Sequence, residues 1–112
     1  MKLAYVSGPY TADTKEQKIA NIQQARKIAV ELWDLGYAVI CPHSNTAFFN
    51  EMCKVAKYED FIVGDLVMLE YCDVMVLTPD WWASNGARIE AGYAHIHLIP
   101  IYIYPNMPES ER

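Results

Sequence analysis

Three side chains in this sequence have the types and spacing for chemistry at a glycosidic carbon: Glu90, Asp65 and Tyr5. Two carboxylates in one cleft divide that work between them. One, ionised, attacks the anomeric carbon, and the other, with a raised pKa, handles the proton at the leaving group. A tyrosine hydroxyl donates to the nucleophile and fixes its orientation. Glu90 lies in Ser84-Asn85-Gly86-Ala87-Arg88-Ile89-Glu90-Ala91-Gly92, a helix opening that follows an apolar run, Val74 to Thr78, and the turn Pro79-Asp80-Trp81-Trp82. Unpaired N–H groups and the helix dipole make such an opening a ligand site and favour an ionised carboxylate. Each of the three also has a plain reading. Glu90 is then a surface residue favoured by the dipole, Tyr5 a core aromatic on a strand, and Asp65 a helix residue turned to solvent.

The elements that must position these groups follow from periodicity. Lys2 to Ser7 predicts a short buried strand, stopped by the turn Gly8-Pro9-Tyr10. Thr14-Lys15-Glu16-Gln17 has the form of a capping box, and a helix follows in which Ile19, Ile22, Ala25, Ala29, Leu32 and Trp33 recur at helical spacing. Lys18, Arg26, Lys27 and Glu31 fill its other face, and Gly36 ends it. Tyr37 to Cys41 is a second strand. Pro42 to Lys57 reads as a loop with a short helix. A further helix spans about Tyr58 to Tyr71, with Ile62, Leu66 and Leu69 on its buried face and Asp65 among them. A carboxylate on such a stripe is costly unless satisfied. Asp73 to Thr78 is a third strand, the Glu90 helix runs to about Leu98, and Ile99 to Tyr104 is a fourth strand. Residues 105–112 read as a weakly structured tail after a domain of residues 1–104.

Strands alternating with helices predict an α/β fold: a single-domain, three-layer, Rossmann-like (flavodoxin-like) arrangement with a mostly parallel sheet of about four strands. Right-handed crossovers bring the loops 8–14, 42–57 and 79–86 to one edge, and the pocket belongs at the switch in strand order, between the first and third strands. Those loops supply the candidate substrate contacts: Gly8, Pro9, Tyr10, His43, Asp80, Trp81, Ser84, Asn85 and Gly86. Ser84 is either a plain N-cap or part of a small anion site. Trp81 and Trp82 either stack on a flat base or pair across subunits. His43 is a ligand contact or a loop residue. Neither GxGxxG nor a phosphate-binding lysine loop is present.

Bulk properties narrow the function classes. At 112 residues the chain fits one domain, and its formal charge of −5 argues against nucleic-acid backbones and anionic membranes, though not against a small phosphorylated ligand. No apolar run reaches the ~18 residues of a membrane span. Cys41, Cys53 and Cys72 form no CxxC pair, which predicts reduced thiols in the cytoplasm and no zinc site. The 53% hydrophobic fraction, with 8 Tyr and 3 Trp, predicts a buried subunit interface.

Taken together, these segments resemble the nucleoside 2-deoxyribosyltransferase family and the related 2′-deoxynucleoside 5′-monophosphate N-glycosidases. Tyr-Val-Ser-Gly-Pro-Tyr, residues 5–10, looks like the family's first strand and turn. Gly-Asp-Leu-Val-Met-Leu-Glu-Tyr-Cys-Asp-Val, residues 64–74, looks like the segment bearing the base-side aspartate. Ser-Asn-Gly-Ala-Arg-Ile-Glu-Ala-Gly-Tyr-Ala, residues 84–94, looks like the nucleophile segment. The resemblance implies cleavage of the N-glycosidic bond of 2′-deoxyribonucleosides or their 5′-monophosphates through a glycosyl-glutamate, by hydrolysis or base exchange. It implies Glu90 as nucleophile, Asp65 as proton handler, Tyr5 as the donor holding Glu90, no cofactor, and a dimer or larger assembly. Asp73 is expected to be structural. The chain departs from the transferases in carrying Ser84 where they have an aspartate, which tilts the substrate towards a nucleotide. It departs from the glycosidases at Pro9 and Thr11, where they place a serine and an arginine. A non-catalytic nucleotide-binding or sensor module shares the same crevice and needs no nucleophile. A structural oligomer built on Trp81, Trp82 and the tyrosine-rich last strand is the third possibility.

Overall fold

The computed structural model describes residues 1–110, the side chain of Asn50 excepted. Four parallel strands lie in the order β2-β1-β3-β4: β1 (Leu3–Ser7), β2 (Ala38–Ile40), β3 (Val74–Leu77) and β4 (Ile101–Ile103). β2 and β4 are shorter than the apolar runs that contain them, Tyr37 to Cys41 and Ile99 to Tyr104. β1 and β3 are central and buried on both faces, which is why they read as continuous apolar runs rather than as alternation. Asp73 locks their entry. Its carboxylate accepts the Leu3 N–H at 2.7 Å, and its own N–H donates to the Leu3 carbonyl at 2.8 Å.

Alternate residues of the central strands serve two cores. Ala4, Val6, Val74 and Val76 meet Ala25, Ile28 and Leu32 of α1 (Lys15–Asp34). Tyr5, Met75 and Leu77 face the other way, onto Leu69 of α4 (Tyr58–Glu70) and Ala94 of α5 (Asn85–Ile96). So α1 lies on one face of the sheet and α4 with α5 on the other. Each fully buried aliphatic side chain here contributes about 1.5–3 kcal/mol.

Thr14 caps α1 by accepting the Gln17 N–H at 3.1 Å, but the Gln17 amide reaches forward to Asn21 instead of closing the expected box. The buried stripe of α1 is Ile22, Ala25, Ile28 and Leu32, while Ile19 and Trp33 are exposed. The sheet meets this helix along a narrower arc than its apolar residues occupy. Gly36 ends it at φ 98°, in the left-handed region that glycine tolerates.

The segment after β2 makes two single-turn helices, α2 (Pro42–Asn45) and α3 (Phe49–Met52). Among the described residues of the tail, 105–110 have no regular structure and are pinned to the body. The Tyr37 hydroxyl donates to the Pro108 carbonyl at 2.9 Å, Met107 packs on the α1 core, and the Ser110 N–H donates to the Leu35 carbonyl at 2.9 Å. Residues 111 and 112 lie outside the described part.

The chain leaves β1 towards β2 on one side and places β3 on the other, so strand order switches between β1 and β3. A crevice opens there at the strands' carboxyl ends. Its floor is tight. A Cβ on Gly8 would stand 2.3 Å from Thr78 Oγ1 and 2.4 Å from Cγ2, so the exit of β1 crosses the end of β3 at a distance only glycine permits.

Candidate active site

A cavity of about 590 Å³ fills that crevice, within the range of small-molecule sites. Its walls come chiefly from the β1–α1 loop (Gly8, Pro9, Tyr10, Thr11), the first turn of α1 (Lys18), α2 and its flank (Pro42, His43, Thr46), and the helix pair α4–α5. Asp65 and Glu90 both face into it.

Glu90 is buried, which sets aside its surface reading. It lies on the second turn of α5, beyond the reach of the N-terminal N–H groups, so burial rather than the dipole dominates its ionisation. Burial raises its pKa, opposed by hydrogen bonds from two β1 hydroxyls. The Tyr5 phenol donates to Oε2 and the Ser7 hydroxyl donates to Oε1 at 2.7 Å. Tyr5 and Ser7 point to one face of β1 because strand side chains alternate, and that face meets α5. The Tyr5 pKa is raised by burial and by the charge of Glu90, so the phenol keeps its proton and acts as a donor. Tyr5 itself lies behind Glu90 in the core rather than on the cavity wall.

Asp65 is partly buried on the inward stripe of α4, as the spacing with Ile62 and Leu69 requires. Burial, and then the neighbouring Glu90 charge, push its carboxyl up to about 7. One carboxylate clamped by hydroxyls and another that holds a proton near neutrality is an acid/nucleophile arrangement.

The expected contacts divide. Gly8, Pro9, Tyr10, His43, Ser84, Asn85 and Gly86 line the cavity. Asp80 and Trp81 do not: the Asp80 carboxylate accepts the Thr78 hydroxyl at 2.8 Å, and Trp81 packs on the α4–α5 core. Ser84 caps α5 by accepting the Ala87 N–H at 3.1 Å and also lines the cavity. His43 is buried, its pKa lowered by burial, and its Nε2 is 2.8 Å from the Pro9 carbonyl, which ties α2 to the β1–α1 loop. Residues not foreseen are Ser7, which holds Glu90 from behind, and Lys18, Thr46, Tyr58, Phe61 and Ile62 on the cavity wall. Ser7 was findable, being two residues from Tyr5 on a strand.

This architecture, a four-stranded parallel sheet with helices on both faces, is the fold of the nucleoside 2-deoxyribosyltransferases. The 2-deoxyribosyltransferase of the psychrotolerant bacterium Bacillus psychrosaccharolyticus superposes with a TM-score of 0.63 at 18% identity, covering 90% of this chain and 70% of that one. The 2-desoxiribosyltransferase of Leishmania mexicana gives 0.63 at 15% identity, covering 93% of this chain and 64% of that one, so this chain spans a little under two thirds of the Leishmania protein. The chain belongs to the family described as "Domain of unknown function (DUF4406)", whose model matches residues 1–103. A comparison with curated protein sequences finds no match.

Proposed function

We propose that this protein cleaves the N-glycosidic bond of 2′-deoxyribonucleosides or their 5′-monophosphates through a glycosyl-glutamate ester. The observation that carries the proposal is the buried Glu90 carboxylate, held by the Tyr5 and Ser7 hydroxyls in a cavity shared with Asp65, whose carboxyl is pushed up to about 7 by burial and by the Glu90 charge. In the first step a Glu90 oxygen bonds to C1′ as the C1′–N bond breaks. The bonding pair leaves with the base, which takes the Asp65 proton. In the second step water attacks C1′, Asp65 accepts its proton, and the ester opens to return the Glu90 carboxylate. A second base in place of water makes the reaction a transfer. Without a 2′-hydroxyl, positive charge develops at C1′ more readily, so a desolvated carboxylate suffices as nucleophile. The test is a panel of deoxynucleosides and deoxynucleotides scored for free base, with and without a second base. Release from at least one deoxyribosyl substrate is expected. Tight binding without release across the panel would make the chain a nucleotide-binding module instead.

The proposal includes self-assembly. α4 exposes Val63, Val67 and, just past its end, Tyr71, and α5 exposes Ile89 and Ile96. Gly64 and Gly92 leave open space among them, since a Cβ at either would meet nothing within 4 Å. Two packed helices with apolar outer residues and a small residue midway suit close contact with a second copy of the pair. Sedimentation at micromolar concentration should report a dimer or larger species. A monomer that persists as concentration rises contradicts this.

A further inference from the structure

Lys18 stands out in the cavity wall. Among the described residues it is the one lysine or arginine lining the cavity, opposite in charge to Asp65 and Glu90. It also comes from the other side of the sheet, on α1, while the carboxylates come from α4 and α5. The crevice is therefore polarised, with carboxylates on one bank and an ammonium on the other. Lys18 is shielded as well, its side chain only 16% exposed. Its Nζ lies 5.5 Å from the Tyr10 ring centre and 5.3 Å from that of Phe48. Phe48 adopts a left-handed backbone, φ 62°, which is strained for a bulky residue, and its N–H donates to the Tyr10 hydroxyl at 2.6 Å. Two rings are thus fixed around one cation.

The cation is poorly matched for a structural role. An ammonium has three donors. Among the described residues its one carboxylate partner is Glu51 at 3.5 Å, a long contact to a side chain 60% exposed. An exposed pair of that length adds little stability. A shielded cation with spare donors, held by strained backbone at a cavity wall, is a receptor for an anion.

Resting on the glycosidic reading above, we propose that Lys18 receives the 5′-phosphate of a deoxynucleotide and so sets the preference for nucleotide over nucleoside. Placing the phosphate against Lys18 keeps it on the bank away from Asp65 and Glu90, where like charge would repel it. Glu51 is the placeholder that the phosphate displaces.

The experiment measures binding of deoxynucleoside 5′-monophosphates and their parent nucleosides by calorimetry, in a Glu90→Gln background that prevents turnover. Lys18→Met should weaken monophosphate binding about 10- to 100-fold, the scale of one charge-assisted hydrogen bond, and leave nucleoside binding unchanged. Lys18→Gln should do the same, and Lys18→Arg should restore most of the affinity. Glu51→Gln should tighten monophosphate binding by a factor of about 2–5. Inorganic phosphate should compete with the monophosphate when Lys18 is present and not in Lys18→Met. Equal weakening of nucleoside and monophosphate, or no weakening of either, overturns the proposal. The glycosidic reading fails separately. If the otherwise unmodified protein binds monophosphates through Lys18 but releases no base, the receptor stands and the reaction falls. If base is released at a nucleotide-to-nucleoside ratio that Lys18→Met leaves unchanged, the reaction stands and the receptor falls.

Discussion

Glu90→Ala is expected to abolish release of free base while leaving the fold intact. In the proposed mechanism the bond to C1′ forms at this carboxylate and nowhere else, so the loss should be about 10⁴-fold or more, roughly 5.5 kcal/mol of barrier. The fold should survive because two effects on stability oppose each other. The substitution leaves the Tyr5 and Ser7 hydroxyls without their acceptor, a cost of about 1–3 kcal/mol. It also removes a carboxylate whose burial disfavours its charge. Glu90→Gln keeps an acceptor oxygen for one of the two hydroxyls and turns an amide N–H donor to the other, and should be equally inactive. Activity retained in Glu90→Gln would move the nucleophile elsewhere.

The second large effect is at Asp65 and has a pH signature. The working form of the pair is Asp65 protonated and Glu90 ionised. With the Asp65 carboxyl near 7, kcat/KM should fall about tenfold per pH unit above that value as the acid is lost. Asp65→Asn should remove this alkaline limb and lower the rate about 10²- to 10⁴-fold. A deoxynucleoside of 7-methylguanine, whose base is already cationic and needs no proton to depart, should lose much less. Stability provides an independent reading. The folded-state pKa of Asp65 is raised above its unfolded value near 4, so the folded state holds this proton more tightly. The resulting stabilisation is full below about pH 4 and is lost as pH rises through 7. Asp65→Asn should therefore match the parent protein in acid and exceed it by about 2 kcal/mol at pH 8, after allowing for partial exposure. An unchanged alkaline limb in Asp65→Asn would remove Asp65 from the chemistry.

How legible this was in the sequence depended on the kind of signal. Strand and helix order follows from apolar runs and caps, and the Thr14 cap and Gly36 stop fall where local chemistry puts them. The meeting of Tyr5 with Glu90 was readable because a buried strand and a helix of small residues approach closely at a switch point. Lys18 was not readable. Helical periodicity separates the sheet-facing stripe from the rest and puts Lys18 on the outer face, but it does not say which loop folds over the first turn. Its partners depend on Phe48 taking a left-handed backbone, which no propensity favours. Trp33 misled in the opposite direction, since its apolar type suggested burial where the helix has already turned away from the sheet. Asp80 and Trp81 stood next to the right loop, but their own local partners, Thr78 and the α4–α5 core, hold them outside the cavity.

The covalent step rests on one atom pair, a Glu90 oxygen and C1′, and it can be caught directly. A 2′-fluorinated deoxynucleoside slows opening of the ester because fluorine disfavours positive charge at C1′. After incubation and digestion, mass spectrometry of the peptide containing Glu90 should show the added mass of one fluorinated deoxyribosyl group, absent in Glu90→Gln. Base released from the same reagent with no adduct on Glu90, or an adduct on another residue, would contradict Glu90 as the nucleophile.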